Sequence, residues 1–87
     1  LLVTSMFVEE AAKHLLMSYD EIPLEVPVRL IHGMKDSDVP WTTSLRIAEK
    51  ITGKDVRIIL EKEGGHRMSE PQNLLLLKNT LSELISL

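Results

Sequence analysis

The sequence contains no cysteine. That excludes a disulfide framework and any thiolate-ligated metal site. It also fits a reducing compartment; the expected location is cytoplasmic, with the mitochondrial matrix as the alternative. Aromatic residues are scarce, Phe7, Tyr19 and Trp41 alone, so a core has to be built from Leu, Ile and Val. No apolar run approaches the roughly 20 residues that span a bilayer, so no membrane span is expected. Leu1-Leu2-Val3 is too short for a signal-peptide core, and no basic residue precedes it. Positive charge is not in excess: ten Lys and Arg face thirteen Asp and Glu, for a net charge of -3. This argues against nucleic acid as a partner, because phosphate binding needs a basic patch. The first residue is Leu rather than Met, and the expectation is a piece of something longer. At 87 residues, 44% of them hydrophobic, the chain reads as one globular domain at most, with a modest core.

What is present is a regular alternation of elements. Phe7, Val8, Ala11, Ala12, Leu15 and Leu16 form a helical stripe with Glu9, Glu10, Lys13 and His14 opposite, which predicts a helix over 5–17 with Thr4 or Ser5 as N-cap. Asp20, Glu21 and Pro23 mark a loop. Pro27 precedes a short apolar run that predicts a strand over 28–31. Leu45, Ile47, Ala48 and Ile51 predict a helix over 43–52, ended near Gly53 as a C-cap. A second strand is predicted over 56–60. Pro71 opens a last helix over 71–85, whose leucines occupy more than one stripe and ask for cover on more than one side. Arg29 and Arg57 are each second in their strand, and both are placed near a sheet edge or end because an unpaired Arg is very rarely buried. The order predicts an α/β chain: a right-handed parallel βαβ unit followed by a helix and preceded by one. Parallel sheets are normally several strands deep and covered on both faces. The sequence therefore asks for more sheet than it contains.

Chemistry concentrates in the two loops that follow the strands. The first, His32-Gly33-Met34-Lys35-Asp36-Ser37-Asp38-Val39-Pro40, holds two carboxylates; the second, Glu61-Lys62-Glu63-Gly64-Gly65-His66, ends in a histidine. Sites in open α/β sheets form at the carboxyl ends of strands. Asp36 is a candidate for orienting a catalytic histidine, against the plainer role of a turn residue. Asp38 is its competitor, otherwise a solvated or capping carboxylate. His66 is a candidate general base, against a surface histidine, and the glycines before it allow a tight turn and leave room for a substrate or a neighbouring loop. His14 reads as exposed and His32 as structural. The three histidines lack metal-ligand spacing, so no metal and no cofactor are expected. None of Ser5, Ser18, Ser37, Ser44, Ser69, Ser82 or Ser86 lies in a G-x-S-x-G turn.

The motif H-G-x-x-D-x-x-V-P over His32 to Pro40, followed after one more strand by Gly65-His66, resembles the C-terminal third of the α/β-hydrolases. Pro27 to Asp36, then Val39-Pro40-Trp41, Thr43-Ser44 and His66-Arg67-Met68, are similar to one group within that superfamily, the mitochondrial palmitoyl-protein thioesterases that also act as mycophenolic acid acyl-glucuronide esterases, with their bacterial relatives. Even Phe7 to Leu16 resembles the preceding helix there. The resemblance implies that residues 1–87 form a single partial domain, that Asp36 is the triad acid and His66 the triad histidine, and that a small-molecule ester or thioester is the substrate of the full-length enzyme. The family's chain order puts the nucleophile before residue 1. The expectation is thus a serine hydrolase fragment that is inactive alone. Its alternatives are a non-catalytic remnant or interaction module, and a half-enzyme that pairs with a separate N-terminal hydrolase fragment.

Overall fold

The computed structural model describes the backbone of residues 1–87 and every side chain except those of Glu10, Ala12 and Lys13. Six elements follow one another: β1 (Leu2–Thr4), α1 (Ser5–Ser18), β2 (Val28–Gly33), α2 (Thr42–Lys50), β3 (Val56–Glu61) and α3 (Pro71–Ile85). The strands form one parallel sheet in the order β1-β2-β3, with Val3 opposite Leu30 and Leu30 opposite Ile58. This is the α/β architecture of the sequence reading with one strand more. β1 has three residues, too few for any alternation to show. It exists because β2 offers it an edge.

β2 is the central strand, buried along its whole length. The pleat sends Val28, Leu30 and His32 to one face and Arg29, Ile31 and Gly33 to the other. The first face is apolar. Val28 and Leu30 join Val3 of β1, Val8 of α1, Ile22, Val39, Ile47 of α2 and Ile51 in one core. Full burial of a side chain of this kind stabilises by about 1.5–3 kcal/mol. The α1 stripe is only partly used: Val8 is buried and Leu15 and Leu16 are half-buried, but Phe7 is exposed. Ala12 of that stripe, and Glu10 and Lys13 of the face opposite, lie outside the described side chains.

The second face differs from expectation. Arg29 is neither at an edge nor exposed; it is 2% accessible in the middle strand. It is tolerated there because it is paired: Nη1 lies 2.8 Å from Asp55 Oδ1 and Nη2 3.4 Å from Glu83 Oε1 of α3. Arg57 is on the edge strand β3 and exposed, 3.8 Å from the same Glu83. α3 starts at Pro71, whose missing N–H is harmless in a first turn. Its buried residues are Asn73 and Thr80, whereas Leu74, Leu75, Leu81 and Ile85 are exposed. The helix thus buries Asn73 and Thr80 and half-buries Leu76, Leu77 and Leu84, while four of its large apolar side chains face outward.

Gly53 does not cap α2. The helix ends at Lys50, and Ile51 leaves it in an extended conformation to bridge Ile22. Gly53 is required by space instead: a Cβ there would run into the Leu24 carbonyl oxygen. Among the described residues no helix is long and apolar enough to cross a membrane.

Candidate active site

The parallel ladder brings the two strand-end loops together at one end of the sheet. His32 pairs with Leu60 and Gly33 with Glu61 at the last rungs of β2 and β3. Beyond them Met34 N–H donates to Glu61 O at 2.8 Å and Lys35 N–H to Gly64 O at 3.0 Å. The loops then touch through glycine. A Cβ on Gly33 would run into Gly64 O and stand 2.6 Å from Gly65 O, and one on Gly64 would stand 3.0 Å from Gly33 Cα. Neither Gly64 nor Gly65 has a positive φ. Of the two uses expected of the pair, a tight turn and room for a substrate or a neighbouring loop, Gly64 serves the second: the neighbouring loop comes against it at Gly33. The left-handed residue of this loop is Met68, at φ 52° and buried. A non-glycine residue there costs about 1 kcal/mol or more, and it turns the chain toward α3 just after His66.

Asp36 and His66 meet. His66 Nδ1–H donates to Asp36 Oδ2 at 2.8 Å. The other carboxylate oxygen is occupied by the loop's own backbone: Asp38 N–H and Val39 N–H donate to Asp36 Oδ1 at 2.8 and 3.0 Å. One carboxylate thus does both things considered for it. It closes its turn with Oδ1 and orients a histidine with Oδ2. Asp38 stands outside this pairing, exposed, with Oδ2 3.9 Å from His66 Nε2. His66 Nε2 faces Glu9 Oε2 of α1 at 2.7 Å. Both short contacts are donated together only by the imidazolium.

Electrostatics follow from these contacts. Burial pushes the Asp36 carboxyl up, but the bonds from His66 and from the Val39 and Asp38 amides outweigh it and hold the group below its ordinary range. His66 is raised, first by its hydrogen bond to Asp36, against the cost of burial, and further by the charges of Asp36, Glu9 and Asp38.

Glu9 is the member the sequence reading missed. It lies on the polar side of α1, and no spacing in the sequence links it to a loop 57 positions on. Glu9, Asp38 and His66 each bring one ligand atom within 4.8 Å of the others. That gathering is accounted for by two half-exposed carboxylates attracted to one imidazolium. His14 is exposed and meets Tyr19 edge-on at 5.4 Å between ring centroids. His32 is fully buried, with both ring nitrogens engaged. A cleft of about 700 Å³ opens beside His66, lined also by Met6, Glu9, Arg67, Ser69 and Asn73.

No family model matches the sequence. Over 79 residues the chain is 48% identical to the mouse "Palmitoyl-protein thioesterase ABHD10, mitochondrial" and 44% identical to its human counterpart, in each case 91% of this chain and 26% of that protein. The chain thus spans about a quarter of the length of the curated relatives it matches. Among solved structures, mouse alpha/beta hydrolase domain-containing protein 10 superposes with a TM-score of 0.79 at 48% identity, over 92% of this chain and 32% of that one. A bacterial hydrolase from Agrobacterium vitis S4 gives 0.76 at 29% identity, over 91% and 30%.

Proposed function

Because this chain is the C-terminal part of an α/β-hydrolase in sequence and in fold, we propose that its Asp36 and His66 are the acid and histidine of a serine hydrolase that cleaves carboxylic esters or thioesters. The observation that supports this most directly is the 2.8 Å bond from His66 Nδ1 to an Asp36 oxygen left free by a turn that saturates the other. In such a relay the acid holds the histidine in the tautomer whose Nε2 accepts a proton, and stabilises the imidazolium that results. Nε2 would take the proton of a serine hydroxyl as its oxygen attacks the acyl carbon, then return it to the leaving alkoxide or thiolate. Glu9 stands at Nε2 in the present arrangement. It is half exposed on the surface of α1 and has to swing away for a nucleophile to take that place.

The serine is to be sought outside these 87 residues, since no serine here lies in a G-x-S-x-G turn. Residues 1–87 are on this reading a single partial domain, with an N-terminal hydrolase segment as its complement. The substrate class is a small-molecule acyl ester or thioester, and the thioesterase names of the relatives favour the thioester. Those names also favour a mitochondrial location over the cytoplasmic one.

The test is reconstitution. The purified chain should hydrolyse p-nitrophenyl and acyl-thioester substrates no faster than free imidazole. Joined to an N-terminal hydrolase segment carrying G-x-S-x-G, it should turn them over with saturation, and Asp36→Asn or His66→Ala should abolish that turnover. A reconstituted, folded enzyme indifferent to both substitutions would refute the assignment. The interaction-module reading draws on the exposed Leu74, Leu75, Leu81 and Ile85 of α3. It predicts complex formation with no turnover in any combination.

A further inference from the structure

His32 touches no solvent, yet both nitrogens of its ring are anchored close to the candidate site. It sits next to last on β2, 0% accessible. Nε2 is 2.9 Å from Val39 O, and a carbonyl only accepts, so Nε2 carries the proton. In the neutral ring Nδ1 is then the acceptor, and Ser44 Oγ, in the first turn of α2, donates to it at 2.6 Å. The two bonds tie the end of β2 to the acid loop on one side and to α2 on the other.

The choice of Val39 matters. Its N–H donates to Asp36 Oδ1 while its C=O receives His32 Nε2–H. The same residue is gripped at both polar groups, by the carboxylate in front and by the imidazole behind. Those two groups belong to the peptide units on either side of the Val39 Cα, so a turn of the chain at Val39 that gave up the His32 bond would also loosen the amide bond to Asp36 Oδ1, and with it the side-chain rotation that leaves Oδ2 for His66. His32 Nε2 is also 3.6 Å from Asp36 Oδ2 itself. The carboxylate oxygen that meets His66 is therefore flanked by a second ring N–H. Shape alone does not ask for this. An apolar side chain of similar volume would fill the space on the Val28 and Leu30 face but leave the Val39 carbonyl and the Ser44 hydroxyl buried without this partner.

We infer that His32 is a positioning residue: through Val39 and Ser44 it fixes the acid loop so that Asp36 Oδ2 is presented to His66. The inference rests on the reading of Asp36 and His66 as a relay pair, but its test does not need turnover. The groups facing His66 are Asp36 and Asp38 from the acid loop and Glu9 from α1. The readout is the titration midpoint of His66, followed by long-range proton–nitrogen NMR of the imidazoles in the whole 87-residue chain.

Asp36→Asn should lower that midpoint by about one pH unit or more, which calibrates the pair. His32→Leu should lower it by roughly half a unit and broaden the His66 ring signals. His32→Gln, whose amide can still reach the Val39 carbonyl, should restore most of the loss. A role confined to packing predicts the opposite pattern: a lower melting temperature in both variants with the His66 midpoint unmoved, and that result overturns the inference. If His32→Leu does not fold, Ser44→Ala decides. It keeps the ring and removes one anchor, and an unchanged His66 midpoint in that folded variant is equally fatal. A midpoint that moves as expected while reconstitution yields no turnover would leave the positioning role standing and remove the hydrolase reading. In an active reconstituted enzyme, His32→Gln should lower kcat while KM stays the same.

Discussion

The two faces of the sheet are built on different principles. The face covered by α1 and α2 is an apolar core in which Val28 and Leu30 are fully buried. The face crossed by α3 buries Ile31 and, beside it, a guanidinium, an amide and a hydroxyl, those of Arg29, Asn73 and Thr80, and turns four large apolar side chains outward. On this face Arg29 is paired through its terminal nitrogens, its Nε having no partner among the described residues, and Thr80 through a bond from its hydroxyl to Leu76 O at 2.8 Å. Asn73 is 1% accessible, and among the described residues neither end of its amide has a hydrogen-bond partner. The contrast teaches where the chain is self-sufficient. The first face holds itself chiefly by area removed from water, with the His32 ring hydrogen-bonded at its end. The second adds directed bonds to a buried Ile31 and leaves apolar surface to be covered.

The comparison can be broken at its strongest point. Leu30→Ala should destabilise the chain by about 2–5 kcal/mol, the cost of lost burial plus a cavity. Arg29→Met, one residue away and equally buried, should cost less than about 1.5 kcal/mol, because Asp55 and Glu83 are exposed enough to be solvated and the stem volume is kept. Urea unfolding of the two variants checks this, and equal losses would erase the distinction between the faces. Next in size is Gly33→Ala, which drives a methyl into the Gly64 carbonyl. It should cost about 1–3 kcal/mol. The loops should part, and NMR should then show His66 no longer hydrogen-bonded to Asp36. Asn73→Leu sharpens the comparison from the other side. Removing an unpaired buried amide should stabilise the isolated chain, by about 1 kcal/mol. If a complementing segment supplies the partner, the same change should weaken the complex.

The smallest effect is a pH dependence, and its sign follows from the two shifts. Asp36 is depressed below its ordinary 3.8, so its contribution is present above that pH and lost as pH falls through the folded value. His66 is raised above its ordinary 6.5, so its contribution is full below that pH and lost as pH rises through the folded value. Stability from the pair should therefore form a plateau between 3.8 and 6.5 and decline on both sides. His66→Gln should remove the decline on the alkaline side. Glu9→Gln should shift it to lower pH, since Glu9 is one of the charges that raise His66.

The sequence made the site easier to read than the fold around it. A carboxylate and a histidine on successive strand-end loops are visible as text, and a parallel ladder brings such loops to the same end whatever the intervening residues. β1 was illegible because three residues carry no period. Arg29 was misplaced because its partners, Asp55 and Glu83, are 26 and 54 positions away. The rule against buried Arg has no force once they arrive. Gly53 was read as a helix cap, whereas it is needed where the Leu24 backbone comes too close for a Cβ; the room expected at Gly64 is taken up by the neighbouring loop at Gly33. Glu9 was invisible because helix periodicity reports which face a residue is on, not what that face meets.

The shared register of β2 and β3 bears on how the site is completed. His32 lies opposite Leu60 and Gly33 opposite Glu61, so the acid and the histidine are measured off from the same two rungs. Their separation is fixed within residues 28–66 and owes little to anything spliced on at either side. On the proposed reading, a nucleophile-bearing neighbour has to be placed against His66 Nε2 alone, because Asp36 and His66 are already set relative to each other.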